Sequence, residues 1–171
     1  MLETAVPAPE DLWFRQEMLE DAATMSYNRA WGGTVPFPRE RWRDWYDRWV
    51  GHPEDGRFYR YLRDGDRFVG EIACHYDPAC GGYAADVLIF SRYRGKGYGK
   101  RGLELLCEAA KANGIEALYD SIAADNPSLK LFVKRGFSVV GRTDGAVLVK
   151  KDLSGPAGGQ TDTGVNDQWK T

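Results

Sequence analysis

The chain has 171 residues, 43% hydrophobic and 28% charged, with a formal net charge of −2. That length supports one domain with a core and is short for two, and the composition excludes a disordered chain. The balanced charge supplies no basic field for a phosphate backbone, so nucleic acid is not an expected partner. Three cysteines, Cys74, Cys80 and Cys107, have no metal-ligand spacing and are an odd number for a disulfide framework, which fits a reducing cytoplasm. The first residues show no basic stretch followed by an apolar run, and no apolar segment nears the roughly 20 residues that span a bilayer, so neither secretion nor a membrane partner is expected.

In chain order, Leu12 to Leu19 reads as a first strand and Asp21 to Ala30 as a helical or irregular piece, followed by a turn-rich stretch from Gly32 to Pro38. Arg39 to Val50 places Trp42, Trp45 and Trp49 on one face of an amphipathic helix, a stripe best read as core. Arg57 to Arg63 and Arg67 to His75 are predicted strands joined by Asp64, Gly65 and Asp66, since an Asp-Gly pair supplies the positive φ of a tight hairpin. Tyr83 to Phe90 is more apolar and is predicted to be central. Tyr98 to Lys111 repeats Leu103, Leu105, Leu106 and Ala109 at helical spacing and stops at Asn113-Gly114. Ala117 to Ala123 is a strand, Pro127 to Arg135 a short helix ended by Gly136, and Ser138 to Arg142 with Ala146 to Lys150 a closing hairpin. This order predicts an α+β or α/β layered domain over residues 1–153, with a mixed sheet and helices on both faces. Residues 154–171, rich in Gly, Thr and Asp, read as a flexible tail whose only aromatic is Trp169.

The chemistry centres on Arg94 to Gly99, RGKGYG, between the apolar strand and the helix of Leu103. Glycines at 95, 97 and 99 let the backbone turn and present amide N–H groups where a helix dipole is positive, which is a cradle for linked phosphates. Lys96, Lys100 and Arg101 add charge around it. A Walker loop is excluded because Arg101, not a hydroxyl residue, follows Gly99-Lys100. Gly97, Gly99 and Gly102 match G-x-G-x-x-G, but antiparallel hairpins precede them, so a dinucleotide site is not expected.

Arg94-x-x-Gly97-x-Gly99 resembles the (R/Q)-x-x-G-x-(G/A) signature of the GNAT (Gcn5-related N-acetyltransferase) superfamily. Asn126-Pro127-x-x-x-x-Leu131-Phe132-x-Lys134-x-Gly136-Phe137 is similar to that family's downstream N-P-x-x-x-x-L-Y-x-K-x-G-F block. The resemblance covers nearly the whole body. It implies a mixed sheet of about six or seven strands, splayed between the fourth and fifth. It also implies acetyl-CoA as acyl donor, an amine acceptor, no metal, and compatibility with a homodimer. Amides of Arg94, Gly95, Lys96, Gly97, Tyr98, Gly99 and Lys100 would hold the pyrophosphate. The backbone near Leu88 and Ile89 would pair with pantetheine, Asn126 would touch the pantetheine arm, and Phe132 would line the cofactor. Phe132 stands where the family often has a proton-donating Tyr, and a phenyl ring has no proton to give. Ser128, Tyr93, a water or direct transfer from the amine are the alternatives, and a catalytically silent acyl-CoA sensor is the second functional reading.

An amine attacks only when uncharged, so a base is expected. Alternation puts Asp86 as the sole charge among Ala84, Leu88 and Phe90, and puts Glu71 and His75 with Ala73 on one face of the neighbouring strand. Asp86, His75 and Glu71 are the base candidates, Asp86 preferred, with a backbone N–H near Ile89 for the oxyanion. Tyr27, Trp31 and Phe37 are candidate acceptor walls, and Asp21, Glu40 and Asp44 candidate attractors of a cation.

Overall fold

The structure is a computed structural model that describes residues 1–155. Most of the expected tail, Trp169 included, lies outside the described residues. One sheet runs in the order β1-β2-β3-β4-β5-β7-β6. Its strands are β1 (Leu2–Ala5), β2 (Arg57–Asp64), β3 (Arg67–Asp77), β4 (Gly82–Ile89), β5 (Ala117–Ala123), β6 (Ser138–Arg142) and β7 (Ala146–Asp152). Helices α1 (Leu12–Glu20) and α2 (Trp42–Tyr46) lie over one face, and α3 (Tyr98–Ala112) and α4 (Ser128–Lys134) over the other. The apolar strand of residues 83–90 is central, as its composition predicts.

Two elements depart from the sequence reading. Residues 12–19 form helix α1, not a strand. Leu12 and Phe14 imitate alternation, but Gln16, Glu17, Met18 and Leu19 are good helix formers, and Leu12, Phe14, Met18 and Leu19 are buried. Start signals lie just upstream, where Pro9 opens a 3₁₀ turn and Asp11 accepts the Ala8 N–H at 2.9 Å. The first strand is instead Leu2–Ala5, an edge strand paired with β2 and too short and half-exposed to carry a pattern. The tryptophan segment is also not one helix: a 3₁₀ turn (Arg39–Arg41), α2 and a π turn (Asp47–Gly51) follow one another. Its stripe still packs as core, with Trp45 edge-on to Tyr59 at 4.7 Å.

The two faces of the sheet differ in chemistry. Beneath α3 the core is mostly aliphatic, with Leu62, Ile72, Leu103, Leu106 and Leu118 fully buried. A Cβ at Gly102 would come within 2.7 Å of Leu62, so this glycine lets α3 approach the sheet, which explains its presence without a nucleotide. Beneath α1 and α2 the core is aromatic and encloses an ion pair. Arg15 binds Glu71, which also accepts the Tyr59 hydroxyl, and the guanidinium lies over the rings of Trp45, Phe37 and Tyr59. Burial pulls the Arg15 guanidinium down, but Glu71 and Tyr59 outweigh it and hold it above its ordinary value.

The central strands part because each follows a different partner. β4 is antiparallel to β3 along its length, from Asp77↔Gly82 to Gly70↔Ile89. β5 is antiparallel to β7 from Ala117↔Asp152 to Ala123↔Ala146. Between β4 and β5, the only parallel neighbours among the described residues, pairing is confined to Tyr83↔Leu118 and Ala84↔Tyr119. Beyond Ala84 they diverge, and the α3 N-terminus faces the gap.

Candidate active site

The gap is a cleft of about 560 Å³ that joins the phosphate-loop residues, both parted strands and the N-terminal end of α4. At one end the chain turns through Gly95 and Gly97 with φ of 79° and 84° and enters α3. Those values are open to glycine and costly to other residues. The Arg101 N–H donates to Gly97 O at 3.1 Å, whereas among the described residues no amide from Gly95 to Lys100 donates to a backbone carbonyl. Four unpaired N–H groups are the rule at a helix start, and here the left-handed turns extend the set into the loop.

Arg94 serves this loop differently from its neighbours. Its N–H donates to Ser91 O, and its guanidinium donates to Ile89 O at 3.2 Å, Ala23 O at 3.0 Å and Thr24 O at 2.6 Å. Thr24 Oγ1 accepts the Ser91 N–H, and Asp21 accepts from Thr24 and from the Ser91 hydroxyl. Hydrogen bonds from Thr24 and then Ser91 hold the Asp21 carboxyl below its usual range. The 3₁₀ segment Thr24–Trp31 is thereby pinned to the loop and roofs the cleft.

Along β4, Phe90 N–H donates to Val69 O at 3.0 Å, toward β3. By alternation the N–H and C=O of Ile89 point the other way, to the cleft. Arg94 already holds that carbonyl, which leaves the Ile89 N–H facing the gap. Across the cleft, Asn126 Oδ1 accepts the Ser128 N–H at 2.9 Å, and its Nδ2 has no partner among the described residues. Phe132 is 4% exposed, lines the cleft and packs edge-on against Phe137 at 4.9 Å.

Of the predicted cofactor residues, Leu88, Ile89, Arg94, Gly95, Gly97, Tyr98, Gly99, Lys100, Asn126 and Phe132 all line this cleft. Lys96 is not among the lining residues; its ammonium lies 5.9 Å from the Tyr93 ring. Ser128 lines the cleft and Tyr93 packs on Phe90, so of the two side chains considered as proton donors only Ser128 is at the site.

The three base candidates separate. Glu71 is buried in its ion pair with Arg15 and does not line the cleft. His75 stands edge-on to Trp49 at 5.3 Å with Nδ1 buried and unpartnered. Asp86 opens onto the cleft. Dense surrounding protein, and secondly the Glu71 charge, push its carboxyl up despite that access to solvent, while His75 and Arg15 pull it back.

A further carboxylic acid, Asp120 on β5, reaches the same cleft and went unrecognised in the sequence. Burial first and the Asp86 charge second push it up to about 8, against a hydrogen bond from Ser121. The signal was present, for Asp120 is the only charge in Ala117–Ala123, the argument that singled out Asp86. Of the predicted acceptor walls, Tyr27 and Trp31 line the cleft and are 38% and 57% exposed. Phe37 is 5% exposed and belongs to the core, Asp21 serves the roof, Glu40 is on the surface, and Asp44 lines a different groove beside Trp42.

A cradle of main-chain donors at a helix start, opening on two parted central strands, suits a ligand whose phosphates bind the loop and whose extended arm enters the gap, and comparison with known proteins gives the family. The family model described as Acetyltransferase (GNAT) family matches residues 16–137, and the chain belongs to that family. No curated protein matches it in sequence. Among solved structures it is similar to an N-acetyltransferase from Staphylococcus aureus Mu50, with 20% identity, 90% of this chain and 99% of that one covered, and a TM-score of 0.71. It is also similar to the spermidine N-acetyltransferase from Vibrio cholerae in complex with CoA and spermine, with 15% identity, 89% and 95% covered, and a TM-score of 0.74. A third is the PaiA N-acetyltransferase from Thermoplasma acidophilum in complex with coenzyme A, with 16% identity, 89% and 99% covered, and a TM-score of 0.63. At these identities the likeness is one of fold.

Proposed function

We propose that the protein transfers an acetyl group from acetyl-CoA directly to a primary amine within a ternary complex. The observation that carries this reading is the run of amides from Gly95 to Lys100 without backbone acceptors, set at the start of a 15-residue helix and open to the cleft. The amides of that run would bind the pyrophosphate, with the Lys100 charge beside them. The cleft-side backbone at Ile89 would take pantetheine as an added strand, the Leu88 N–H and C=O being turned to β3, with Asn126 Nδ2 and the Phe132 ring on its other side. The Ile89 N–H is the donor best directed at a carbonyl oxygen gaining charge.

Asp86 is the base in this reading. Its carboxylate takes one proton from the acceptor's ammonium, directly or through a water. The freed nitrogen pair forms the C–N bond to the acetyl carbon, the C–S bond breaks, and the second amine proton passes to the departing sulfur. Ser128 is the only lining hydroxyl of α4 and is the candidate relay for that proton.

Phe132 at the customary tyrosine position favours one other reading, an acyl-CoA-binding module without turnover. Two measurements separate them. Coenzyme A is expected to raise the melting temperature under both readings, and its failure to do so removes both. Free thiol released from acetyl-CoA in the presence of primary amines is expected for the enzyme alone. Asp86→Asn should then lower kcat about a hundredfold while coenzyme A affinity holds; an unchanged kcat removes Asp86 from the chemistry.

A further inference from the structure

The acceptor end of the cleft has a charge pattern that constrains the amine. Asp86 comes from β4 and Asp120 from β5, so the two strands that part to make the cleft each supply one carboxyl to it, Asp86 from the face of α1 and α2 and Asp120, alternating with Leu118 and Ile122, from the face of α3. Neither has an ion-pair partner among the described residues, and the Asp86 charge adds to burial in pushing the Asp120 carboxyl up. His75, edge-on to Trp49, does not line the cleft, and the other cations near them are committed elsewhere. Arg15 is bound to Glu71 beneath Trp45, and the Arg94 guanidinium is spent on three carbonyls. Among the described residues Lys100 is the one cation besides Arg94 that lines the cleft, and it stands in the first turn of α3 among the unpaired amides. Tyr27 and Trp31 complete the acceptor end with exposed aromatic surface.

Resting on the transferase reading, we propose that Asp86 and Asp120 together form the ammonium site of the acceptor, and that they select a primary amine bearing no carboxylate beside its nitrogen. An ammonium held in the gap between the strands meets Asp86 from one face of the sheet and Asp120 from the other, with the aromatic surface of Tyr27 and Trp31 on the Asp86 side. An α-carboxylate would enter the same space facing two acids with no uncommitted cation to receive it, and like charges set against each other oppose binding. Asp120 is thus a specificity-determining residue, whereas Asp86 has the proton-accepting role as well.

Matched pairs that differ only in the carboxylate test this: tyramine against tyrosine, histamine against histidine, and cadaverine against lysine. Calorimetric titration of each into the protein saturated with coenzyme A is expected to give the carboxylate-free member about tenfold or greater affinity. Parity, preference for the amino acids, or absence of binding by all three amines would overturn the assignment. At about pH 8.5, above the value of about 8 to which Asp120 is pushed, Asp120→Asn should weaken amine binding about fivefold and shrink the preference, with coenzyme A affinity unchanged. Asp120→Ser should do the same, and an undiminished preference in both variants would exclude Asp120. Amine binding without thiol release from acetyl-CoA would remove the transferase reading and leave the ammonium site standing.

Discussion

At the loop end of the cleft the polar groups are main-chain amides, positioned by φ angles that glycine tolerates; at the acceptor end they are side-chain carboxyls, positioned by strands that belong to different pairings. The first arrangement is local. Gly95, Gly97 and the first turn of α3 are consecutive, so a six-residue motif contains the whole device. The second is assembled from residues 34 positions apart in sequence, Asp86 and Asp120, under a roof that begins at Thr24. A local device depends on backbone conformation, and a distributed one on the packing that holds its parts in register.

That contrast can be broken most severely at Arg15. Its pair with Glu71 underlies β3 and the face that presents Asp86, so Arg15→Ala leaves a buried carboxylate uncompensated. A loss of about 3–5 kcal/mol is expected by denaturant unfolding. Retention of full stability would show that solvent reaches Glu71 and that the acceptor side does not rest on this pair.

At the loop end, Gly97→Ala confines the damage to backbone strain, since a Cβ there meets nothing within 4 Å. Forcing an L-residue to a φ of 84° should cost about 1–2 kcal/mol of loop conformation and raise the KM for acetyl-CoA roughly tenfold with kcat nearly intact. Gly99→Ala provides the contrast, because its φ is not positive and its Cβ would make an ordinary 3.5 Å contact with Leu131. Equal effects of the two on KM would mean that conformation is not what the loop contributes.

The smallest expected effect is a dependence of apo stability on pH. Asp120 keeps its proton to about 8 in the folded state, against 3.8 when unfolded, so between those values the folded protein holds more protons. Raising pH through this window therefore destabilises the fold, and Asp120→Asn should flatten the slope in melting temperature. Asp86, whose carboxyl burial also pushes up, shares this neighbourhood and shapes the same profile. A slope untouched by the Asp120 substitution would place the titration on Asp86.

Legibility in the sequence followed the same division. Helix α3, strand β5, α4 and the closing hairpin were readable because period, caps and turn glycines are short-range signals. The strand predicted over residues 12–19 failed because Leu12 and Phe14 imitate alternation over so few residues, and burial of Met18 and Leu19 against the aromatic face decides for helix. Strand β1 exists through its pairing with β2 and has no pattern of its own. Among the candidate bases, alternation puts Glu71 and His75 on one face of β3, and the register Ala73↔Asp86 brings Asp86 to that same face. Alternation says nothing of what lies above that face, so it could not reveal that Arg15 occupies Glu71 or that Trp49 covers His75.

The sequence by itself determined the order of most elements, the glycine turn at the start of α3 and the family to which the chain belongs, because each is written in residues close along the chain. Tertiary structure alone decided which carboxyls share the cleft, which cations are already taken, and how far β4 and β5 part. Those outcomes depend on long-range pairing and on competition among charges for partners, and a linear pattern does not encode who wins.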